Sequence, residues 1–207
     1  MAITNGYATL AEYKAWIAVR GLAGAVGTDA SDDTVIELLI EAASRYIDRE
    51  TARRFFLTAT DETRYYQADE SNKLWVDEIG SLTSISVDYL GTRATYTALN
   101  STDYDTIPTN AVVEGLPIVG FEIDDTNSTA YFTTYKKGVK VVGKFGWPAV
   151  PADIKEACLS IAQSLSGSRS GQTSSGKVTV TAAGVVIRPE DVPAFAQKVI
   201  NHYKALV

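Results

Sequence analysis

The sequence predicts an α+β protein: a helical bundle with an inserted antiparallel β domain, of β-sandwich or barrel-like form, followed by a C-terminal β arm and a helix. Two observations predict this architecture. Apolar residues recur at steps of three and four near both ends of the chain, but the apolar period falls toward two from about Arg64 to Phe145. In addition, the stretch from Val139 to Leu165 passes from a β-branched strand, through Trp147-Pro148, into an apolar helical stripe.

Two helices are predicted near the beginning of the chain. In residues 8–21, Thr9 and Glu12 have the spacing of a capping box, in which each side chain bonds the backbone N–H of the other residue. Residues 32–54 begin with acidic side chains, which are favourable at the positive end of the helix dipole. The helical period of this second segment predicts a buried stripe, formed by Val35, Leu38, Leu39, Ala42, Ala43, Tyr46 and Ile47.

The middle of the chain is rich in Thr, Tyr, Val, Asp, Asn and Gly, which is typical of strands and turns. Turn residues such as Gly80-Ser81 and Lys137-Gly138 separate its apolar segments. Short strands at this spacing indicate a small sandwich or barrel-like domain. The predicted strands are residues 64–66, 74–76, 85–89, 95–98, 119–123, 130–133 and 139–145.

A third helix is predicted at residues 152–166, because Pro151 suits the first turn of a helix, where a backbone N–H has no partner. A Gly/Ser-rich segment follows it. An alternating β arm is then predicted at 177–188, with Ala183-Gly184 as its turn, and a last helix at 189–206. The predicted organisation is a helical domain made of residues 1–60 and 146–207, which encloses a β domain of residues 61–145.

The charge balance limits the partners of the chain. It has 207 residues and a formal net charge of −6. Specific binding of nucleic acid through phosphates requires a basic face, so we do not expect it, although double-stranded DNA could pass an acidic wall without being held. The sequence has no run of 18 apolar residues, and residues 1–20 lack the pattern of a signal peptide. We therefore expect no membrane partner and a protein assembled in a reducing cytoplasm.

Residues suited to catalysis are scarce. Cys158 is the one cysteine and lies on an apolar helical stripe, so we expect a buried, inert thiol. His202 is the one histidine and lies in a predicted helix, where no Ser–His–Asp arrangement can be assembled around it. The acidic pairs at residues 103–105 and 124–125 lack the pattern of a calcium loop. The prediction is a protein that is not an enzyme, with no catalytic residue, cofactor or metal site.

Arg45, Arg49 and Arg53 recur at steps of four and therefore share one face of their predicted helix. Three interpretations are open for this face: contact with phosphate, pairing with local acids, or an interface with an acidic neighbouring subunit. Local pairing is the most common outcome for such faces. Trp147, at the corner between strand and helix, is predicted to belong to the same inter-subunit or partner face.

The predicted arm is a candidate docking element. Its apolar residues are Val178, Val180, Val185, Val186 and Ile187. A long apolar strand on a Gly/Ser tether would be prone to unwanted pairing if it were left exposed. Such an arm is either buried in its own domain or adds a strand to a neighbouring chain.

Four segments resemble the long form, with a β insertion, of the tailed-phage head–tail connector family, whose members are also described as adaptor or head-completion proteins. The segments are Leu10-Ala-Glu-Tyr-Lys14; Asp32-Asp33-Thr34 with the following helix to Arg54-Phe55; Phe145-Gly-Trp-Pro-Ala-Val-Pro-Ala-Asp-Ile-Lys-Glu-Ala157; and Val185-Val-Ile-Arg-Pro-Glu-Asp-Val-Pro193. The third is the most specific. In the second, Ala52 stands where the family commonly has glycine.

The resemblance implies a structural virion protein at the capsid vertex, assembled in the host bacterial cytoplasm. Copies would form a homo-oligomeric ring, usually a dodecamer, beneath the portal protein. The ring would extend the channel for double-stranded DNA and offer a platform to a stopper or tail-completion protein. The arm and the C-terminal helix would dock on the portal.

Two alternatives remain. Another neck component, such as a stopper or a tail terminator, is the nearest. A β-sandwich module that binds a ligand or receptor is the second, and it would need a concave aromatic platform within residues 64–145.

Overall fold

The computed structural model describes residues 3–20, 30–126, 128–169, 179–181, 184–186 and 192–204. Within these ranges the fold is α+β, as predicted. The helices are α1 (Leu10–Val19), α2 (Ala30–Thr51), α3 (Ala111–Glu114), α4 (Ala152–Arg169) and α5 (Ala194–Tyr203). The strands are β1 (Glu62–Tyr66), β2 (Lys73–Val87), β3 (Thr97–Ala98), β4 (Tyr104–Ile107), β5 (Ile118–Ile123), β6 (Val139–Phe145), β7 (Thr179–Thr181) and β8 (Gly184–Val186). The chain divides into a helical unit, Met1–Arg53 with Val150–Val207, and a β unit, Arg54–Ala149.

Helix α1 begins with the predicted capping box. The Glu12 backbone N–H donates to Thr9 Oγ1 at 3.2 Å, and the Thr9 N–H donates to Glu12 Oε2 at 2.8 Å. Glu12 also pairs with Lys155 of α4, with 2.6 Å between Oε1 and Nζ. The contact from Lys155 lowers the pKa of the Glu12 carboxyl. One side chain therefore both caps α1 and connects it to α4.

Helix α2 packs against α1, α4 and α5. Its buried stripe differs in part from the predicted one: Leu39 is buried as predicted, but Ile36 and Ile40 are buried as well, whereas Leu38 is 44% exposed. The sequence Val35-Ile-Glu-Leu-Leu-Ile40 places apolar residues all around this turn, so periodicity alone could not choose the face. Further along, Ala43, Tyr46 and Ile47 are buried as predicted.

Helices α4 and α5 complete the core of the helical unit. Cys158 of α4 is fully buried, as predicted, with Sγ 3.4 Å from Ser44 Oγ of α2. Burial raises the pKa of the Cys158 thiol to about 11. On α5, Ala196, Val199 and Ile200 are buried, and the Tyr203 hydroxyl donates to Asp153 Oδ1 at 3.1 Å.

The β unit is built on one open antiparallel sheet with the strand order β1-β6-β2-β5-β4, and β3 pairs with β2. The sheet is not closed into a barrel, and no second large sheet faces it within the described residues, so the predicted sandwich or barrel-like form is wrong. One face carries the core, which includes Leu74, Ile85, Phe121 and Val141. Loop residues such as Phe132 complete this core. Connecting segments therefore cover the sheet, and the sequence pattern could not distinguish them from a second layer of strands.

Strand β2 differs most from expectation. The predicted strand 74–76 and most of the predicted strand 85–89 are parts of one 15-residue strand, which ends at Val87, and Gly80-Ser81 is not a turn. Register shifts between Ile79 and Ser81 and between Leu82 and Ser84 bend the strand without ending it. A Cβ at Gly80 would lie 2.5 Å from Leu57 Cδ1, so this glycine permits a close approach and does not mark a turn.

Other local differences follow from long-range contacts. Strand β4 and the short helix α3 were not predicted. Residues 130–133 form no strand; Phe132 is buried, and its backbone N–H donates to Ser71 O at 2.7 Å. Phe132 and Thr133 are both buried, so this segment is held by contacts with a loop and not by pairing in the sheet.

The two ends of the β unit meet at a corner formed by residues 55–58 and 145–147. The Thr58 N–H donates to Phe145 O at 2.9 Å, and the Phe145 N–H donates to Thr58 Oγ1 at 3.0 Å. Trp147 packs on Phe55 with 5.3 Å between ring centroids. Gly146 has φ +108°, and a Cβ there would lie 1.9 Å from Phe56 O. Only glycine fits this position.

Replacing Gly146 with alanine should strongly destabilise the β unit. Backbone strain of about 1–3 kcal/mol is expected at such a φ, and the contact with Phe56 O adds to it. Gly115→Ala is the matched control, because Gly115 also has a positive φ, +68°, but a Cβ added there would meet no atom within 4 Å. Urea unfolding followed by tryptophan fluorescence measures both variants. Equal losses in the two variants would contradict the role of the corner.

The Cys158 thiol should be unreactive in the folded chain. With a pKa of about 11, it holds on the order of 100-fold less thiolate at pH 8 than an ordinary cysteine, and burial adds a steric barrier. The raised pKa favours the thiol form, so this contribution to stability is complete at neutral pH and is lost as pH rises toward 11. Titration with a disulfide reagent, with and without urea, tests this. Rapid reaction of the native chain would be the contrary result.

Candidate assembly surfaces

The predicted arm contains a hairpin. Strands β7 and β8 pair antiparallel, with Thr179 opposite Val186, Val180 opposite Val185 and Thr181 opposite Gly184. Val178 and Ile187 lie outside the described residues. In the described part of the chain these two strands pair with each other and with no strand of the large sheet. The hairpin is thus confirmed, and its role in docking remains a prediction.

Arg45 serves the fold of its own chain. Its Nη2 donates to Asn5 O at 2.8 Å, and its Nε lies 3.0 Å from Asp48 Oδ2. The same N-terminal segment is also bound elsewhere on α2, because the Tyr7 N–H donates to Ser44 Oγ at 3.0 Å and the Tyr7 hydroxyl donates to Asp48. Arg45 therefore helps to hold residues 3–8 on α2, a role that the sequence pattern did not reveal.

The other two arginines of the predicted face differ from Arg45. The Arg49 side chain is 66% exposed, lies 3.4 Å from Glu50 Oε1 and has its guanidinium 5.2 Å from the centre of the Tyr46 ring. Arg53 is half-buried just beyond the end of α2, where Ala52 adopts φ +54°. Among the three, Arg49 has the side chain best placed for a partner. Its exposed local ion pair contributes little to stability and can be exchanged at little cost.

Trp147 is not on an open face. It is 7% exposed and packs against Phe55 within the β unit. In the chain as it stands, its indole is part of the interior at the corner. Its place in an inter-subunit or partner face stays a prediction.

The described ranges contain no cluster of metal-ligating side chains. No group of three or more His, Cys, Asp or Glu side chains there could hold a metal ion. His202 is exposed at the end of α5 and contacts Tyr203 edge-to-face, with 5.1 Å between ring centroids. None of the described helices has the length and apolar character needed to cross a membrane.

The sequence pattern missed a cluster of lysines and tyrosines on the β unit, here named the lysine–tyrosine patch: Tyr65, Tyr96, Lys137 and Lys140. The two rings lie 5.9 Å apart. Lys137 Nζ lies 5.9 Å from the centre of the Tyr65 ring, and Lys140 Nζ lies 5.2 Å from that of Tyr96. The Tyr96 hydroxyl donates to Lys137 O at 2.9 Å. The strand pairing that gathers these residues is non-local, so no sequence spacing could have identified them.

A second surface, here named the acidic edge, consists of Trp75, Asp105 and Glu122. Asp105 of β4 stands directly opposite Glu122 of β5, at the end of the sheet. Trp75 is 58% exposed and lies beside Gly120, where a Cβ would be 3.1 Å from Trp75 Cε3. The one signal in the sequence was Trp75, which follows Leu74 in a predicted strand. Successive side chains of a strand point to opposite faces, so burial of Leu74 implies exposure of Trp75.

The fold has counterparts among solved structures. A chain from a structure of the neck of an empty GTA particle computed with C6 symmetry aligns over 100% of this chain and 94% of its own length, with TM-score 0.53 and 15% sequence identity. A chain from the virion of a native gene transfer agent (GTA) particle gives TM-score 0.49 at 15% identity, with the same coverage. No family model and no curated protein matches the sequence. At this identity the first likeness establishes a shared fold along the whole chain.

Arg45 and Arg49 should respond differently to substitution. Arg45→Met removes an ion pair and a hydrogen bond that holds the N-terminal segment, and should cost about 1–2 kcal/mol of unfolding free energy. Arg49→Met, matched in size and charge change, should stay within about 0.5 kcal/mol of the parent. Urea unfolding monitored by far-UV circular dichroism measures both. A larger loss from Arg49→Met would overturn this division.

Proposed function

We propose that the chain is a structural component of the neck of a phage-like particle, and that it acts there as the adaptor ring between portal and tail. The likeness along the full length to a chain from a GTA neck carries the proposal. The match spans both the helical unit and the β unit, so it covers more than one common supersecondary motif. The connector-like segments at residues 10–14, 32–55, 145–157 and 185–193 support the same proposal independently.

A ring is the assembly that this proposal requires. A closed ring uses heterologous contacts, in which one surface of each copy meets a different surface of the next. The neck in the related structure was computed with C6 symmetry, and that symmetry is compatible with rings of six or of twelve copies. We propose a dodecamer, as in the connector family. The partners would be the portal protein on one side and a stopper or tail-completion protein on the other.

Double-stranded DNA would pass through the ring without being held. The net charge of −6 supports this, because a predominantly acidic wall repels phosphates and leaves the DNA free to slide. The protein would then have no enzymatic role. Its location would be the virion neck, after assembly in the host bacterial cytoplasm.

The β7–β8 hairpin and α5 are the proposed portal-docking elements. A hairpin that pairs with no strand of the large sheet leaves backbone groups available for strand addition to another chain. The apolar residues of the arm would provide the side-chain specificity of that contact.

Another neck component remains the nearest alternative, because a stopper or tail terminator would also lie in the neck. A ligand-binding β module is more distant, since the fold likeness to the GTA neck chain spans the helical unit as well as the β unit. Imaging distinguishes these alternatives. The purified chain is mixed with particles that hold a portal and packaged DNA but no neck, and the vertex is imaged. A ring in direct contact with the portal supports the adaptor; a monomer that never docks contradicts it.

Removal of residues 177–187 should weaken portal binding by about tenfold or more, because central interface residues commonly account for most of the binding energy. Val180→Asp should act in the same direction by placing a charge in the hairpin. Binding to neckless particles is measured by co-sedimentation, and the thermal unfolding of each variant serves as the control for folding. Full binding by the deletion variant would refute the proposed role of the arm.

A further inference from the structure

Two surfaces of opposite charge lie near opposite ends of the longest strand of the β unit, with Asp88 also near the patch and Lys73 beside the acidic edge. In the lysine–tyrosine patch, Lys140 pairs across strands with Ser86, near the end of β2. In the acidic edge, Glu122 pairs across strands with Lys73, at the beginning of β2. The two surfaces also lie on opposite sides of β2, because β6 and β5 flank it on either side. Direct ion pairs between them within one copy are therefore excluded.

The lysines of the patch are held in place but not neutralised. Among the described residues no carboxylate oxygen lies within 4.0 Å of the Nζ atoms of Lys136, Lys137 or Lys140. Lys137 is exposed at the turn before β6, where its φ is +61°. The tyrosine rings orient the ammonium groups through cation–π contacts. The patch thus presents fixed positive charge beside amphipathic rings.

The acidic edge has the complementary character. Asp105 and Glu122 are exposed and directly opposite each other, and like charges in such cross-strand pairs are unfavourable. Lys73 relieves only Glu122, at 3.6 Å from its Oε1. Asp105 lies on the edge strand β4, next to unpaired backbone groups. A cation from outside the copy would relieve the repulsion, and the exposed indole of Trp75 offers apolar area beside it.

We propose that the lysine–tyrosine patch of one copy docks on the acidic edge of the next copy in the ring. This inference rests on the proposed function, because it supplies one of the heterologous contacts of the ring. Charge complementarity selects the occupant: Lys137 and Lys140 of the patch have no carboxylate partner among the described residues of a chain with net charge −6, and every neighbouring copy presents an acidic edge. A heterologous contact needs two different, matching surfaces on one chain, and the β unit provides both.

Each ion pair across this contact is exposed and individually weak. The contact therefore acts together with other contacts of the ring, and it sets the direction in which copies join. Complementary charge favours the correct head-to-tail encounter and penalises patch against patch or edge against edge. Ring formation should accordingly weaken as salt rises.

Charge reversal tests the proposal on the full-length chain. The first variant is Lys137→Glu/Lys140→Glu, the second is Asp105→Lys/Glu122→Lys, and the third combines all four substitutions. Each of the first two should reduce the fraction of chain in rings by about tenfold, because like charges then face each other. The combined variant should form rings by itself. A mixture of equal amounts of the first two variants should form rings in which they alternate.

Native mass spectrometry and vertex imaging on neckless particles provide the readout, with Arg54→Glu/Lys144→Glu as a control of equal charge change within the β unit. Circular dichroism confirms that each variant is folded. Rings from all variants alike would overturn this inference and leave the neck function standing. Failure of both the combined variant and the mixture would also overturn it. Absence of rings from the parent chain would refute the proposed function itself. A patch variant that forms rings but loses binding to added duplex DNA would assign the patch to nucleic acid instead.

Discussion

The corner at Gly146 is the constraint on which the β unit depends. The segments that enter and leave this unit lie side by side there, bonded between Thr58 and Phe145, because only a residue without a Cβ can occupy φ +108° so close to Phe56 O. Phe55 and Trp147 pack over the same place. A unit whose two ends meet can be inserted between residues 53 and 150 with a single point of entry and exit. The insertion then requires no rearrangement of the helical sequence on either side.

Strand β2 is the central strand of the sheet in the β unit. Its bends let the beginning of the strand pair with β5 and the rest with β6, so one strand connects both halves of the sheet. One face of the sheet holds the core, and the opposite face is left to polar and aromatic side chains. An open sheet covered on one side by loops has no need to bury its second face. That second face carries both surfaces that we assign to assembly.

The sequence correctly predicted features whose partners are close along the chain. It did not predict features that depend on contacts between residues far apart in sequence. The Thr9–Glu12 capping box was correct because all of its partners lie within one turn. The prediction that Leu38 of α2 is buried was wrong. Apolar residues surround that turn, and packing against α1, α4 and α5 decides which of these residues are buried. Gly80 looks like a turn residue in the sequence, because a glycine needed for close approach to Leu57 cannot be distinguished there from a glycine in a turn. The lysine–tyrosine patch depends on strand register, which the pattern of single strands does not contain.

The net charge of the chain governs long-range repulsion between copies, whereas the local charge pattern governs contacts between their surfaces. Copies with net charge −6 repel one another at long range, and the ring that we propose would have to close against that repulsion. Salt screens this repulsion and the exposed ion pairs between copies alike, and the proposed contact predicts that the loss of the ion pairs dominates. In the proposed ring, the lysine–tyrosine patch near one end of β2 and the acidic edge near the other would give acidic copies a local attraction. Closure of the proposed ring would then depend on where the charges lie on each copy, and not on the net charge alone.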